Sequence, residues 1–432
     1  MNTPVVRVGI IGAGNVGAAL VGLLLDNSRV DALIDAAGSR IELVAVAVSD
    51  TTKSRPGIPT ELLSYDALAL AERSDIDLVV ELAGGVEQTR PLLEAALRRG
   101  ASVITANKAL MAEAGTELAA VAHANGADLF YEGAVAGGIP IIRALRTSLA
   151  GERIDRVMGI VNGTTNFILS KMSSEGSDYD TVLAEAQALG LAEKDPTADV
   201  EGFDAAAKVS ILSSLAFGTA MAGGAIAREG ITKISALDVS FAARNGYIIK
   251  LLGITERIGH SGISQRVHPA MVPLGHPLAS VHGALNAVFV EGATIGPLMW
   301  LGQGAGGAPT AAAVLGDVVA AARNRVSGQC DVPFSVDTLL HMIPSGELQS
   351  AFYITLDVID RPGVLASVAS IFGEHDVSIE SMEQARLGDE AHLTFTTHLA
   401  LESDITATLE DLAQLDVVDA IGSCIRLIGA DA

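Results

Sequence analysis

VVRVGIIGAGNVG, Val5 to Gly17, decides the architecture of this chain. The β-branched run from Val5 to Ile11 predicts a buried strand, and Ala18 to Asp26 predicts a helix. Between them stand Gly12, Gly14 and Gly17 in a GxGxxG pattern. Strand, glycine turn and helix in that order open a dinucleotide-binding α/β fold. The glycines permit a tight turn and let the backbone approach a pyrophosphate, which the free N–H groups of the helix start would face. Gly12, Gly14, Asn15, Val16 and Gly17 are therefore candidate cofactor contacts. The plain alternative is a glycine turn chosen only for helix–strand packing.

Further strands are predicted at Leu43 to Val48, Asp77 to Glu81 and Ser102 to Thr105, with a helix from Pro91 to Arg99. The second strand ends at Ser49-Asp50. A carboxylate there suits a ribose 2′-hydroxyl and hence NAD, whereas Lys53 and Arg55 just beyond suit the 2′-phosphate of NADP. The fourth strand runs into Thr105-Ala106-Asn107-Lys108. Ligands of open α/β sheets bind at strand ends, which makes Lys108 a candidate contact for cofactor or substrate. A solvated surface lysine is the alternative.

The 432 residues suffice for two or three domains. A hydrophobic fraction of 49% allows a large core and argues against disorder. The formal charge of −23 argues against nucleic-acid or anionic-membrane binding, since both need a basic face. Cys330 and Cys424 lie far apart and form no metal-spaced cluster, so a reduced, cytoplasmic setting is expected. No membrane span and no signal peptide are expected.

Asp128 to Glu132 predicts another strand, followed by the glycine-rich turn Gly133 to Pro140. Carbonyls exposed by that turn, with the Glu132 carboxylate, offer hard oxygen ligands to a cation; alternatively the turn only opens a helix near Pro140. VNGTTN, Val161 to Asn166, is a polar island after a strand from Arg156 to Val161, and reads equally as a helix cap. In AEKDPTADVEGFDAAAK, Ala192 to Lys208, Asp195-Pro196 marks a turn and Gly202 a second break before a helix from Phe203. Asp204 and Lys208 lie one turn apart on that helix. Glu193, Asp199, Asp204 and Lys208 can converge on a small zwitterion; a solvated loop with a surface ion pair is the alternative. Gly302 to Thr310, GQGAGGAPT, leads into a long apolar helix through Ala322 and serves either a ligand or packing.

Pro333, Pro344 and Gly346 break the pattern between 329 and 349, which predicts a linker. A strand from Ala351 to Val358 follows, then a turn at Asp360-Arg361-Pro362-Gly363-Val364-Leu365 opening a helix to Glu374. Strands Ser378 to Glu383 and Ala391 to His398, a helix from Asp404 to Leu412 and a strand from Cys424 to Ile428 complete a β-α-β-β-α-β order. That order is ferredoxin-like and predicts a small separate domain for dimerisation or packing.

GAGNVG, TANKAL, EGAVAGGIP, VNGTTN, AEKDPTADVEGFDAAAK and GQGAGGAPTA together resemble the homoserine dehydrogenase family, in that family's order and across essentially the whole chain. The tail, with DRPGVL at its strand-to-helix turn, resembles an ACT domain. The resemblance implies an α/β protein of several parts. A Rossmann-type NAD(P)-binding domain covers 1–140, with a helix near 308–325 packing back on it. An α+β substrate-binding, catalytic and dimerisation domain covers 141–328. A linker covers 329–349, and a ferredoxin-like ACT regulatory domain 350–432.

The activity implied is reversible reduction of L-aspartate 4-semialdehyde to L-homoserine with NAD(P)H, in threonine, methionine and isoleucine biosynthesis. By the resemblance, Lys208 is the acid/base and Lys108 a cofactor-facing lysine that also approaches substrate. Glu193 and Asp204 hold substrate, with Asp199 nearby. Gly190 and Gly306 touch cofactor, and Glu132, Val135, Gly137 and Ile139 form a sodium site. Asp360, Gly363, Val364 and Leu365 are candidate effector contacts, with threonine the expected inhibitor. A homodimer or homotetramer is expected. Lys53 and Arg55 tilt the cofactor towards NADP(H), with NAD(H) open. The rival readings are another Rossmann dehydrogenase of an amino-acid-derived carbonyl and a non-enzymatic amino-acid sensor.

Overall fold

The computed structural model describes residues 3–50, 52–221, 226–331, 339–387 and 390–429. The chain divides into two compact units. One comprises Met1–Val157, Ala207–Ala225 and Asn286–Thr338; the other comprises Met158–Ala206, Ile226–Leu285 and Leu339–Ala432.

In the first unit a 6-stranded sheet has the order Leu63–Ser64, Arg40–Ala47, Val5–Ile11, Leu78–Glu81, Ser102–Thr105, Leu129–Phe130. Every pairing is parallel. Such strands are covered on both faces, so successive residues rather than alternate ones are apolar and buried, as in Leu78, Val79 and Val80. Strand order reverses between Val5–Ile11 and Leu78–Glu81, which is where ligands bind in sheets of this kind. Helix Asn15–Leu25 packs Leu20, Val21 and Leu24 into the core, and helix Gly307–Ser327 adds Val314 and Val318. A side chain at Gly307 would lie 2.9 Å from the Asn15 carbonyl oxygen, so glycine lets the two helix starts meet. The strand expected over 128–132 is only Leu129–Phe130, because Glu132–Ala134 winds into a 3₁₀ turn.

In the second unit Tyr247–Ile258 and Gly262–Pro273 form a long antiparallel pair. The tail strands stand in the order Val418–Leu427, Gln349–Ile359, Glu390–Thr397, Ile379–Leu387. Helices Val364–Glu374 and Glu402–Leu412 complete the expected ferredoxin-like chain order. Phe352, Leu356, Phe372 and Phe395 fill the tail's core. The tail is nevertheless not set apart from what precedes it. Val418–Leu427 also pairs with Gly262–Pro273, through Ala270 with Arg426 and Met271 with Leu427. That pairing covers backbone groups that a free edge strand would leave open. Arg426 reinforces the seam, its guanidinium 2.7 Å from both Glu229 and Glu402. Of the expected linker, residues 332–338 lie outside the described residues.

Candidate active site

The three fingerprint glycines have three different physical reasons. Gly12 has φ +99, and a Cβ there would sit 2.6 Å from the Ala83 nitrogen. A Cβ on Gly17 would sit 2.2 Å from the Gly12 oxygen, so the helix could not approach the turn. A Cβ on Gly14 would meet nothing within 4 Å. Gly12 and Gly17 build the turn; Gly14 faces open space. Gly14 also caps helix Asn15–Leu25 without a side-chain hydrogen bond. Room beside Gly14 and an uncapped helix start fit a pyrophosphate.

Asp50 and Arg55 are both turned onto their own loop. The Asp50 carboxylate accepts from the Thr52 N–H and hydroxyl at 2.8 and 2.6 Å, and these bonds hold it below the usual carboxylate range. Arg55 donates to the Asp50 and Lys53 carbonyls. Lys53 is exposed.

A cavity of about 350 Å³ opens at the strand ends of the first unit, lined among others by Val16, Leu82, Lys108, Ala136, Lys208 and Gly306. Lys208 is 8% exposed; Lys108 is exposed at the start of helix Lys108–Ala124. Asn107 fixes that start, accepting from the Leu110 N–H at 3.1 Å and donating to the Gly85 carbonyl at 2.6 Å. Below it, Glu81 is fully buried and accepts the N–H groups of Ala83 and Gly84, each at 2.8 Å, and the Thr105 hydroxyl at 2.6 Å. Glu81 thus ties two adjacent strand ends together. An acidic residue closing an apolar strand was its only signal in the sequence.

The glycine loops 133–139 and 302–306 form one structure. Gly138 N–H donates to the Gln303 carbonyl at 3.0 Å. Gly137 has φ +52, and a Cβ there would stand 2.5 Å from the Gly304 oxygen. Ala136 also has a positive φ, 54°, which stores strain beside the cavity. The Glu132 carboxylate accepts the N–H groups of Ile142 and Arg143 at 2.8 and 2.9 Å, at the start of helix Ile141–Arg143. Burial pushes its carboxyl upward. Beneath it, Asp317 accepts the Glu132 N–H and an Arg143 N–H, each at 2.8 Å. Burial first, and the Glu132 charge second, push Asp317 up to about 7. Among the described residues no three His, Cys, Asp or Glu side chains cluster as a metal site. A cation here would depend on Glu132 and the carbonyls of Val135, Gly137 and Ile139. The Ile139 carbonyl already accepts the Ile141 N–H.

In the second unit the carboxylates gather around Asn162. Its Nδ2 donates to Asp199 Oδ1 at 2.7 Å and to Asp204 Oδ2 at 2.9 Å. Its Oδ1 accepts the Thr165 N–H at 2.9 Å and caps helix Gly163–Glu175. The polar island is therefore both a cap and part of a carboxylate site. Lys250, fully buried, donates to Asn166 and to the Val281 carbonyl, and burial pushes its ammonium down to about 8. Nothing local in its β-rich sequence marked it. Asp195 accepts the Thr197 N–H and hydroxyl, making the turn into Thr197–Val200. Glu193 is exposed, and Gly190 follows helix Tyr179–Ala188 with φ +72. Asp204 and Lys208 ride on one helix, Phe203–Phe217, one turn apart. In the tail, Asp360, Gly363 and Leu365 are exposed, and Val364 is buried in the tail core.

Family models match three stretches: homoserine dehydrogenase NAD-binding domain over residues 12–132, homoserine dehydrogenase over 140–319, and ACT domain over 352–417. A homoserine dehydrogenase of Corynebacterium glutamicum is 50% identical over 426 residues, covering 98% of this chain and 95% of the relative. The chain belongs to the homoserine dehydrogenase family. A Mycobacterium tuberculosis homoserine dehydrogenase is 49% identical, with 98% of each chain covered. The solved homoserine dehydrogenase of Thiobacillus denitrificans superposes with a TM-score of 0.93 at 38% identity over 100% of both chains. A hyperthermophilic archaeal homoserine dehydrogenase in complex with NADPH has a TM-score of 0.62 at 29% identity, covering 73% of this chain and 97% of that one. As a homoserine dehydrogenase family member, the chain is an oxidoreductase acting on a CH–OH group, with a nicotinamide-binding domain and an ACT domain. No helix among the described residues is long and apolar enough to cross a membrane.

Proposed function

We propose that the chain interconverts L-aspartate 4-semialdehyde and L-homoserine, with Lys208 as acid/base at the strand-end cavity. One observation carries the residue assignment: Lys108 and Lys208 line a single cavity that also reaches Val16 of the nucleotide fingerprint and Gly306. A bound nicotinamide nucleotide supplies or takes up hydride. As negative charge builds on the aldehyde oxygen, the Lys208 ammonium stabilises it and delivers a proton to that oxygen. Lys108 orients the same oxygen. Asp204 takes the substrate ammonium by a charge-assisted hydrogen bond, with Asp199 beside it and Glu193 closing the loop. Asn162, shared between the two aspartates, keeps both carboxylates aimed.

NADP(H) is the preferred cofactor in this reading. The support is Lys53, exposed beyond the second strand, while Asp50 spends its carboxylate on Thr52. Gly190 is retained as a cofactor contact. A sodium ion held by Glu132 and the Val135, Gly137 and Ile139 carbonyls would steady the 133–139 loop against 302–306. Threonine acts through the ACT tail, at the Asp360, Gly363, Val364 and Leu365 turn, and the working assembly is a homodimer or homotetramer. The functional division remains 1–140, 141–328, 329–349 and 350–432. The setting is cytoplasmic, in keeping with free Cys330 and Cys424.

The test is the purified protein with homoserine and either NADP or NAD, with and without threonine, followed by nicotinamide absorbance. Reduction of neither nucleotide would refute the reading. Faster turnover with NAD would reverse the cofactor preference alone.

A further inference from the structure

Glu81 and Thr105 stand side by side in register, each the last residue of one of two adjacent parallel strands, Leu78–Glu81 and Ser102–Thr105. Both side chains are fully buried, and Glu81 borders the strand-end cavity. The two Glu81 oxygens have separate partners. Oε1 accepts the N–H groups of Ala83 and Gly84, each at 2.8 Å, and so holds the loop that packs against Gly12. Oε2 accepts the Thr105 hydroxyl at 2.6 Å. A hydroxyl has one hydrogen to give. With that hydrogen committed to Glu81, the Thr105 oxygen presents only lone pairs on its other side, where the Asn107 N–H donates to it at 3.0 Å. Glu81 therefore sets the direction of the Thr105 hydroxyl, and Thr105 in turn fixes Asn107.

Every polar group of Asn107 is then committed. Oδ1 accepts the Leu110 N–H at 3.1 Å, and the carbonyl accepts the Met111 N–H at 3.0 Å. Nδ2 donates to the Gly85 carbonyl at 2.6 Å and to the Thr89 hydroxyl at 3.3 Å. The next residue is Lys108, first of helix Lys108–Ala124, which lines the cavity with Lys208. The first N–H groups of a helix have no intrahelical acceptor, so the backbone at a helix start is held only by what lies outside the helix. Here the outside acceptor is the Thr105 hydroxyl. The long Lys108 side chain can reach one point in the cavity reproducibly only if the backbone that carries it is fixed.

We propose that Thr105 is a positioning residue for the reaction: its hydroxyl, oriented by Glu81, fixes the Asn107–Lys108 helix start and so holds the Lys108 ammonium where the reacting oxygen arrives. The proposal rests on the reading of Lys108 as the residue that orients that oxygen.

The test compares Thr105→Val, Thr105→Ser, Lys108→Ala and the Thr105→Val/Lys108→Ala double variant in the full chain. The readouts are kcat with homoserine, NADPH affinity from the fluorescence of the bound cofactor, and thermal melts. Thr105→Val should lower kcat about tenfold to a hundredfold, the span for a slightly misplaced reacting group. Its NADPH affinity should stay near the wild-type value, because the Glu81 Oε1 bonds to Ala83 and Gly84 are untouched. Thr105→Ser keeps the hydroxyl and should restore most of the lost kcat. In the Lys108→Ala background, Thr105→Val should cost no more than about twofold, since two residues that act through one group are not additive. Should the valine protein not fold, Thr105→Ala removes the hydroxyl without a methyl in its place and carries the same expectations. Unchanged kcat on loss of the hydroxyl, equal losses in the serine and valine variants, or an equal fold loss with and without Lys108 overturns the proposal and leaves the Lys108 reading standing. Wild-type kcat in Lys108→Ala overturns both.

Discussion

The Asn162 side-chain nitrogen donates to Asp204 across 2.9 Å and to Asp199 across 2.7 Å. One donor thus holds two carboxylates that would otherwise repel, and it does so from a helix N-cap whose backbone is fixed. In the proposed function, this pair of carboxylates receives the substrate ammonium.

Asn162→Ser keeps a capping oxygen but cannot reach both aspartates. KM for homoserine should rise about tenfold to a hundredfold, the value of one or two hydrogen bonds to charged groups, with a smaller change in kcat. Steady-state kinetics at saturating nucleotide reads the split. An unchanged KM would remove the bridging role.

Lys208→Ala should lower kcat by about 10²- to 10⁴-fold, the usual span for a positioned acid/base. Nucleotide affinity, measured by fluorescence of the bound reduced cofactor, should change little. Lys208→Arg should recover little activity, because guanidinium keeps the charge but does not release a proton at working pH. Near-normal turnover in the alanine variant contradicts the assignment.

Gly14→Ala and Gly137→Ala separate ligand approach from loop strain. Gly14 has φ −76 and open space where a Cβ would go, so its alanine variant should melt like wild type yet bind nucleotide more weakly. Gly137 has φ +52 and the Gly304 oxygen 2.5 Å from a Cβ, so its alanine variant should lose about 1–3 kcal/mol of stability. Thermal melts with and without NADPH distinguish the two.

Lys250 makes stability depend on alkaline pH. Burial lowers its folded value from 10.5 to about 8, so the folded state gives up this proton before the unfolded state does. Its contribution is complete above 10.5 and is lost as pH falls through about 8. Between those limits the folded state gains up to about 3 kcal/mol with rising pH from this group alone. Denaturant titrations of wild type and Lys250→Met across that window should show the wild type gaining relative to the variant. Parallel pH profiles would mean that Lys250 is not desolvated in solution.

Lys53→Ala should raise KM for NADP several-fold more than KM for NAD, since only the former carries a 2′-phosphate. Equal effects on both nucleotides would detach Lys53 from cofactor choice.

By itself the sequence determined the elements that repeat a local rule. Val5 to Gly17 specified strand, turn and helix, because a buried parallel strand must be continuously apolar and only glycine fits Gly12 and Gly17. Helical periodicity put Asp204 and Lys208 on one turn. The tail's β-α-β-β-α-β order was legible from its alternation and its turn residues. What the tertiary structure decided was every relationship between distant segments. Gly137 needs to be glycine because of Gly304, a long way along the chain. Asn162 reads as a cap until Asp199 and Asp204 fold onto its free nitrogen. Lys250 carries no local sequence signal, and only Asn166 and Val281, brought in from elsewhere in the chain, enclose it. The tail reads as separate until Val418–Leu427 lends its open edge to Gly262–Pro273. Local propensity acts over a few residues, whereas hydrogen-bond satisfaction and close packing are settled only when remote backbones meet.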